Sequence, residues 1–84
     1  MVYFIKIDCK PGSIRPNNIL AEVFTTLNIY INVPEKSYSS FGEWCFEFTN
    51  ENEKKILKEN EARIIKKISS FYPSIIRYAE WNFE

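Results

Sequence analysis

Histidine is absent from this chain, and cysteine, glycine and methionine are scarce. Without histidine, the chain lacks the commonest general base and the commonest metal ligand of proteins. Its two cysteines, Cys9 and Cys45, lie far apart and form no C-x-x-C motif, so they offer neither zinc nor redox spacing. The two glycines form no Walker-type phosphate loop. The composition therefore predicts a protein that is not an enzyme and needs no metal or cofactor.

Net charge and long apolar runs are also missing. Eleven basic and eleven acidic residues cancel, whereas proteins that bind a phosphate backbone usually carry a basic field. Nucleic acid is therefore the less favoured partner. No apolar run approaches the roughly 20 residues of a transmembrane helix, and the N-terminus has no signal-peptide pattern. We expect a cytoplasmic protein, in the host cytoplasm if the gene is viral, with no membrane partner.

Aromatic residues, in contrast, are abundant at 17% and concentrate in one mid-chain stretch, residues 41–48. There, Trp44, Phe46 and Phe48 alternate with Glu43, Cys45 and Glu47. Because successive side chains of a strand point to opposite faces, this alternation predicts a strand with one buried and one wet face. The stretch is typical of a central strand, and we expect the other elements to cover its aromatic side.

The remaining periodicities predict five more elements in a single domain, residues 1–84. They are a strand at Val2–Cys9, a helix at Pro16–Asn28, a strand at Ile29–Val33, a helix from about Asn50 to Phe71, and a strand at Ser74–Phe83. This order predicts an α/β (α+β) fold: a ferredoxin-like βαββαβ two-layer sandwich, with a four-stranded antiparallel or mixed sheet and two helices on one face. Asn60 and Glu61 fall beside the apolar stripe of the second helix, so we expect a bend or an interruption there.

The sheet face away from the helices is the predicted binding surface. It combines exposed aromatic residues with both charge signs, and interfaces are enriched in aromatic residues and arginine. The alternative is that a small domain simply exposes some aromatic surface. The last strand leaves open which of its sides faces outward, the side of Arg77 and Trp81 or the side of Tyr78 and Glu80, and the prediction requires Arg77 and Trp81 to share the open face. The candidate partner-binding residues are Phe4, Lys6, Glu43, Glu47, Arg77 and Trp81.

Two other kinds of site are alternatives. RNA-binding sheets stack bases on aromatics of the central strands, but Glu43 stands here where an aromatic is wanted. The turn after the first strand contains Lys10, Gly12, Ser13 and Arg15 before a helix N-terminus. Backbone N–H groups, the helix dipole and two cations at such a turn could bind an anion, as in small phosphate-ester hydrolases, although an ordinary turn explains the same residues.

The function that the sequence favours is a small non-catalytic protein-binding module. Its size, composition and missing catalytic residues are typical of a stoichiometric inhibitor or an immunity-type protein from a bacterium or a phage. The partner is another protein of unknown identity, and self-association into a homodimer is one form that the binding can take. An RNA-binding module and a small anion-binding hydrolase are the alternative functions.

Overall fold

The aromatic stretch predicted to be a central strand pairs with the first strand of the chain. A computed structural model describes residues 2–10, 15–40 and 43–83, and for residues 36–40 it describes the backbone alone. Strands β1 (Tyr3–Cys9) and β3 (Glu43–Phe48) are antiparallel, with Ile5 opposite Phe46. Side chains alternate between buried and partly exposed along β1, with Tyr3, Ile5 and Ile7 on the buried face.

Two further strands flank this pair. Strand β4 (Ile76–Phe83) lies antiparallel to the other side of β1, and β2 (Lys36–Ser40) lies antiparallel to the outer edge of β3. The order across the sheet is β2-β3-β1-β4. The pairing of β2 is irregular, since its register shifts between Lys36 and Tyr38. The regular part of the sheet, whose side chains are described, is therefore the antiparallel unit β3-β1-β4.

Helix α1 (Pro16–Thr26) begins with a proline and ends in a Schellman motif. The missing N–H of Pro16 falls where no intrahelical partner exists. At the other end, Asn28 adopts a left-handed φ of 59°, and the Ile29 N–H donates to the Phe24 carbonyl at 2.8 Å. This turn points Ile29 and Ile31 into the core. Burial thus alternates over residues 29–33 as in a strand, although their backbone joins no described strand.

The predicted second helix is divided into α2 (Glu51–Glu59) and α3 (Glu61–Phe71). Asn50 caps α2 by accepting a hydrogen bond from the Glu53 N–H at 3.0 Å, which confirms the predicted helix start. Asn60, with φ −120° and ψ 12°, interrupts the helical path. Its side-chain amide donates to the Ile56 carbonyl at 2.7 Å, which satisfies one of the carbonyls that end α2.

All three helices contribute to one core on the aromatic face of β1 and β3. The helix residues of this core are Ile19, Leu20, Val23, Phe24, Leu57, Ile64 and Ile68, all of which are buried. They pack with Tyr3, Ile5 and Ile7 of β1 and with Phe46 and Phe48 of β3. The opposite face of the sheet carries no described helix and is the open face.

The predicted ferredoxin-like βαββαβ sandwich is wrong. Within the described residues the chain has three helices instead of two, and its core sheet is a three-stranded antiparallel unit with the short, irregular β2 at one edge. Two physical causes account for the difference. Asn60 takes a non-helical conformation that splits the second helix, and residues 29–33 pack into the core through their side chains without sheet pairing. All three pairings among the described strands are antiparallel, so the mixed alternative is also wrong.

Candidate functional site

Three cross-strand rows form the described part of the open face. The register places Phe4 between Glu47 and Asn82 in the first row. Lys6 lies between Cys45 and Glu80 in the second row, and Asp8 lies between Glu43 and Tyr78 in the third. Side chains that share such a row stand about 5 Å apart, close enough to interact. The predicted residues Phe4, Lys6, Glu43 and Glu47 are therefore brought together on one surface.

Lys6 lies at the centre of this face and contacts two carboxylates. Its Nζ is 4.0 Å from an Oε1 of Glu43 and 3.9 Å from an Oε1 of Glu80. The ammonium group thus joins β3 to β4 across β1. Each pair alone is a weak, partly exposed ion pair, but together they hold two acidic side chains in position around one cation.

Arg77 and Asp8 form a third ion pair of the face. The Arg77 Nε donates to the Asp8 Oδ1 at 3.0 Å, and the Nη2 of the same guanidinium donates to the Cys9 carbonyl at 3.1 Å. The register explains this position: Asp8 is opposite Tyr78 while Cys9 is opposite Ile76, so Arg77 is the extra residue of a β-bulge. A bulge redirects a side chain, and here the guanidinium lies against its own sheet while remaining half exposed.

Tyr78 completes the network in the third row, where it lies opposite Asp8. Its hydroxyl donates to the Glu43 Oε2 at 3.1 Å, so that Glu43 is bound by both Tyr78 and Lys6. Partial burial, this hydrogen bond and the nearby carboxylates raise the pKa of Tyr78 to about 12. The phenol therefore keeps its proton, and its donor role, well above neutral pH.

The open face of β1, β3 and β4 is acidic, although the whole chain is neutral. Its four carboxylates belong to Asp8, Glu43, Glu47 and Glu80, against two cations, Lys6 and Arg77, which leaves a net charge of minus two. Glu47 is exposed, and Phe4 beside it is half-buried. The face is therefore an ordered acidic surface with a single aromatic ring, that of Phe4, in its first row.

Trp81 does not lie on this face. It stands opposite Ile5, a core residue, and its ring stacks on Tyr3 at a centroid distance of 5.0 Å. Its indole N–H is buried without a described acceptor. The prediction that Arg77 and Trp81 share the open face is therefore wrong, because the bulge at Arg77 shifts the alternation of β4. Trp81 is a half-buried core residue.

The predicted anion-binding turn falls largely outside the described residues. Gly12 and Ser13 are not described, while Lys10 and Arg15, on either side of them, are both exposed. Arg15 also lines a groove of about 1230 Å³ between α1, residues 29–35 and β3. Its backbone carbonyl accepts from the Asn18 and Ile19 N–H groups, so the residue begins α1 without a side-chain cap.

Three residues of the acidic network, Asp8, Tyr78 and Glu80, were not among the candidate binding residues. Asp8 was readable as an open-face residue, because it has the same parity on β1 as Phe4 and Lys6. Tyr78 and Glu80 belonged to the alternative face of the last strand, and the sequence left the choice of face open. Both faces of the last strand mix apolar and charged residues, so only its register against β1 assigns them to the open face.

No described helix is long and apolar enough to cross a membrane. Comparisons with known proteins give no match: no family model fits the sequence, and no curated protein or solved structure is significantly similar to the chain.

Proposed function

We propose that this chain is a small non-catalytic binding protein whose open sheet face occupies a basic surface of another protein. In this role it acts as a stoichiometric inhibitor or an immunity-type protein. The observation that carries the proposal is the ordered acidic surface of β1, β3 and β4, with its net charge of minus two and its exposed Glu47. The cytoplasm, which the sequence predicts as the compartment, is part of the proposal.

The internal contacts of the face support binding because they fix its side chains before a partner arrives. Glu43 is bound by Lys6 and Tyr78, and Asp8 is bound by Arg77. Side chains that are already ordered lose less entropy on association. A fixed pattern of negative charge also speeds the encounter with a positive surface and disfavours partners of the wrong sign.

The same surface argues against RNA binding through the sheet. Four carboxylates in three rows would face the phosphates of a nucleic acid, and two of them, Glu47 and Glu80, are exposed. Like charges brought together across an interface oppose association. The described side chains of the face also form no aromatic platform, since Trp81 packs toward the helices and Phe4 and Tyr78 lie in separate rows.

Reversing the charge of Glu47 should weaken the partner complex at least about tenfold at low salt, because a lysine there would face the partner's basic surface.

Phe4→Ala removes the aromatic ring beside Glu47, and truncation of such an anchor usually weakens binding about thirtyfold, or about 2 kcal/mol. The partner is first captured from the native host by the immobilised wild-type chain and identified by mass spectrometry. Dissociation constants are then measured with the purified partner at several salt concentrations.

Glu59→Lys is the matched control, since Glu59 is an exposed residue of α2 and its substitution changes the net charge by the same amount. It should leave the affinity nearly unchanged. The proposal fails if Glu47→Lys and Glu59→Lys have equal effects, because the binding then depends on the total charge or on another surface. It also fails if Phe4→Ala, shown to be folded, binds as tightly as the wild type.

A further inference from the structure

The outer edge of β4 is unpaired within the described structure. One side of β4 pairs with β1, and no other described strand pairs with its other side. An edge strand presents backbone N–H and C=O groups that can pair with another chain. Proteins often block such edges with proline or lysine, and β4 (IRYAEWNF) contains neither. Two aromatic side chains of β4 are also accessible, with Tyr78 40% and Phe83 49% exposed.

We propose that β4 pairs antiparallel with β4 of a second copy of this chain, about a two-fold axis, so that the two sheets continue into one. This proposal goes beyond binding through the open face because it uses the backbone edge of β4, although Glu80 and Asn82 belong to both surfaces. The regular part of β4, after the bulge at Arg77, is Tyr78–Phe83. Directly opposite residues of two paired strands share a face of the sheet. An axis midway between Glu80 and Trp81 would put these two residues, which face opposite sides, opposite each other. A symmetric pairing centred on this segment therefore has its axis beside Glu80 or beside Trp81.

Charge decides between these two registers. An axis at Glu80 would place the two Glu80 carboxylates directly opposite each other, and like charges at such positions are destabilising. An axis at Trp81 instead places Glu80 opposite Asn82 of the second copy, so that a carboxylate faces an amide. It also places Ala79 opposite Phe83 of the second copy.

This second register is self-complementary on both sides of the sheet. On the open face, the Asn82 amide nitrogen is buried without a described acceptor, and when the side chain turns outward it can donate to the Glu80 carboxylate of the second copy. On the helix face, the exposed ring of Phe83 meets the methyl group of Ala79, which leaves room for it. The two-fold axis makes each contact twice. The occupant that fits the β4 edge is therefore another β4 edge.

The association should be weak. A single strand pair covers much less than the roughly 1,200–2,000 Å² of a stable protein interface. We therefore expect a dissociation constant of about 100 µM or more, equivalent to at most about 5.5 kcal/mol of binding.

Sedimentation equilibrium of the full chain from about 10 µM to about 1 mM spans this range. The wild type should rise from the monomer mass of 10.0 kDa towards twice that value. Asn82→Asp places a carboxylate opposite Glu80 of the second copy at both symmetric contacts, and should weaken the dimer about tenfold. Adding Glu80→Gln to this variant puts the carboxylate at position 82 opposite an amide at position 80. The double variant should therefore regain an affinity within about threefold of the wild type.

Amide hydrogen exchange of the wild type provides a second measurement that needs no variant. Residues 79–83 should exchange more slowly at high than at low protein concentration, because half of their backbone groups gain partners in the dimer. A wild type that stays monomeric up to about 1 mM overturns the proposal. A dimer that Asn82→Asp leaves unchanged, or whose slowed amides lie outside β4, overturns it as well. These three results would overturn the dimer alone, because the Glu47→Lys test measures binding of a different partner to the open face.

Discussion

Phe46→Ala should lower the free energy of unfolding by about 3–5 kcal/mol, the usual loss for removing a phenylalanine from a packed core. Phe46 is fully buried, lies opposite Ile5 in the central strand pair and is 6.3 Å from the Trp44 ring. A domain of this length has a total stability of only about 4–13 kcal/mol. The substitution therefore removes a large share of it, and urea unfolding followed by circular dichroism measures the change.

Glu47→Ala is the matched control, because Glu47 is the next residue of β3 and points to the open face, where it is exposed. Exposed substitutions usually change the stability by no more than about 0.5 kcal/mol. If Phe46→Ala loses less than about 1 kcal/mol, Phe46 is not a core residue. A loss for Glu47→Ala as large as that for Phe46→Ala would likewise contradict the assignment of the two faces of β3.

The central strands were predictable because their pattern is local. In β1 and β3 the alternation of large apolar residues with charged ones assigns each side chain to a face. The structure buries Tyr3, Ile5, Ile7, Phe46 and Phe48 as expected, whereas Trp44 is only partly buried. A period of two needs no knowledge of the rest of the chain. The same holds for the start of α2, where the Asn50 side chain accepts from a backbone N–H three residues later.

The parts that sequence reasoning missed depend on contacts between distant residues. The separation of α2 from α3 places Glu61 beside Tyr3, 58 positions away, where its carboxylate accepts the phenol hydrogen at 2.6 Å. From the sequence, Glu61 was only a polar residue beside an apolar stripe. The isoleucines of residues 29–33 alternate like a strand, yet their burial comes from the turn at Asn28 and not from a sheet.

The binding face was predictable to a similar extent. Four of its residues followed from the parity of β1 and β3, but the bulge at Arg77 changed the parity of β4 and placed Trp81 in the core. A bulge leaves little trace in a strand whose two faces both mix apolar and polar residues. The acidity of the face was also hidden, because the rest of the chain carries two more cations than carboxylates and brings the total charge to zero.

The buried hydroxyl of Tyr3 should make the stability of this protein sensitive to alkaline pH. Tyr3 is 2% exposed, donates to Glu61 and stacks on Trp81. Burial raises the pKa of Tyr3, and the hydrogen bond to Glu61 and its negative charge raise it further. In the unfolded chain the phenol has a pKa of about 10. Above that pH the unfolded state loses the proton while the folded state keeps it.

The sign of the effect follows from this difference in proton binding. The stabilising contribution is fully present below a pH of about 10 and is lost as the pH rises toward the folded pKa, at a rate of up to about 1.4 kcal/mol per pH unit. Tyr78, whose pKa is raised by burial and by its hydrogen bond to Glu43, adds to the same alkaline loss, as does Tyr72, whose pKa is raised first by its hydrogen bond to Glu22. A variant that lacks only the Tyr3 hydroxyl keeps their contribution.

Tyr3→Phe should therefore be less stable than the wild type at pH 7 by about 1–2 kcal/mol, because Glu61 loses its donor. Its stability should then fall less steeply above a pH of about 10, so that the two curves converge as the pH rises. Urea unfolding at a series of pH values from neutral to strongly alkaline measures both effects. Tyr30→Phe is the control: Tyr30 is 92% exposed, and its variant should follow the wild-type curve throughout. Parallel curves for Tyr3→Phe and the wild type over the alkaline range would mean that the Tyr3 phenol ionises as easily in the folded chain as in the unfolded one, and its contact with Glu61 would then not hold the proton.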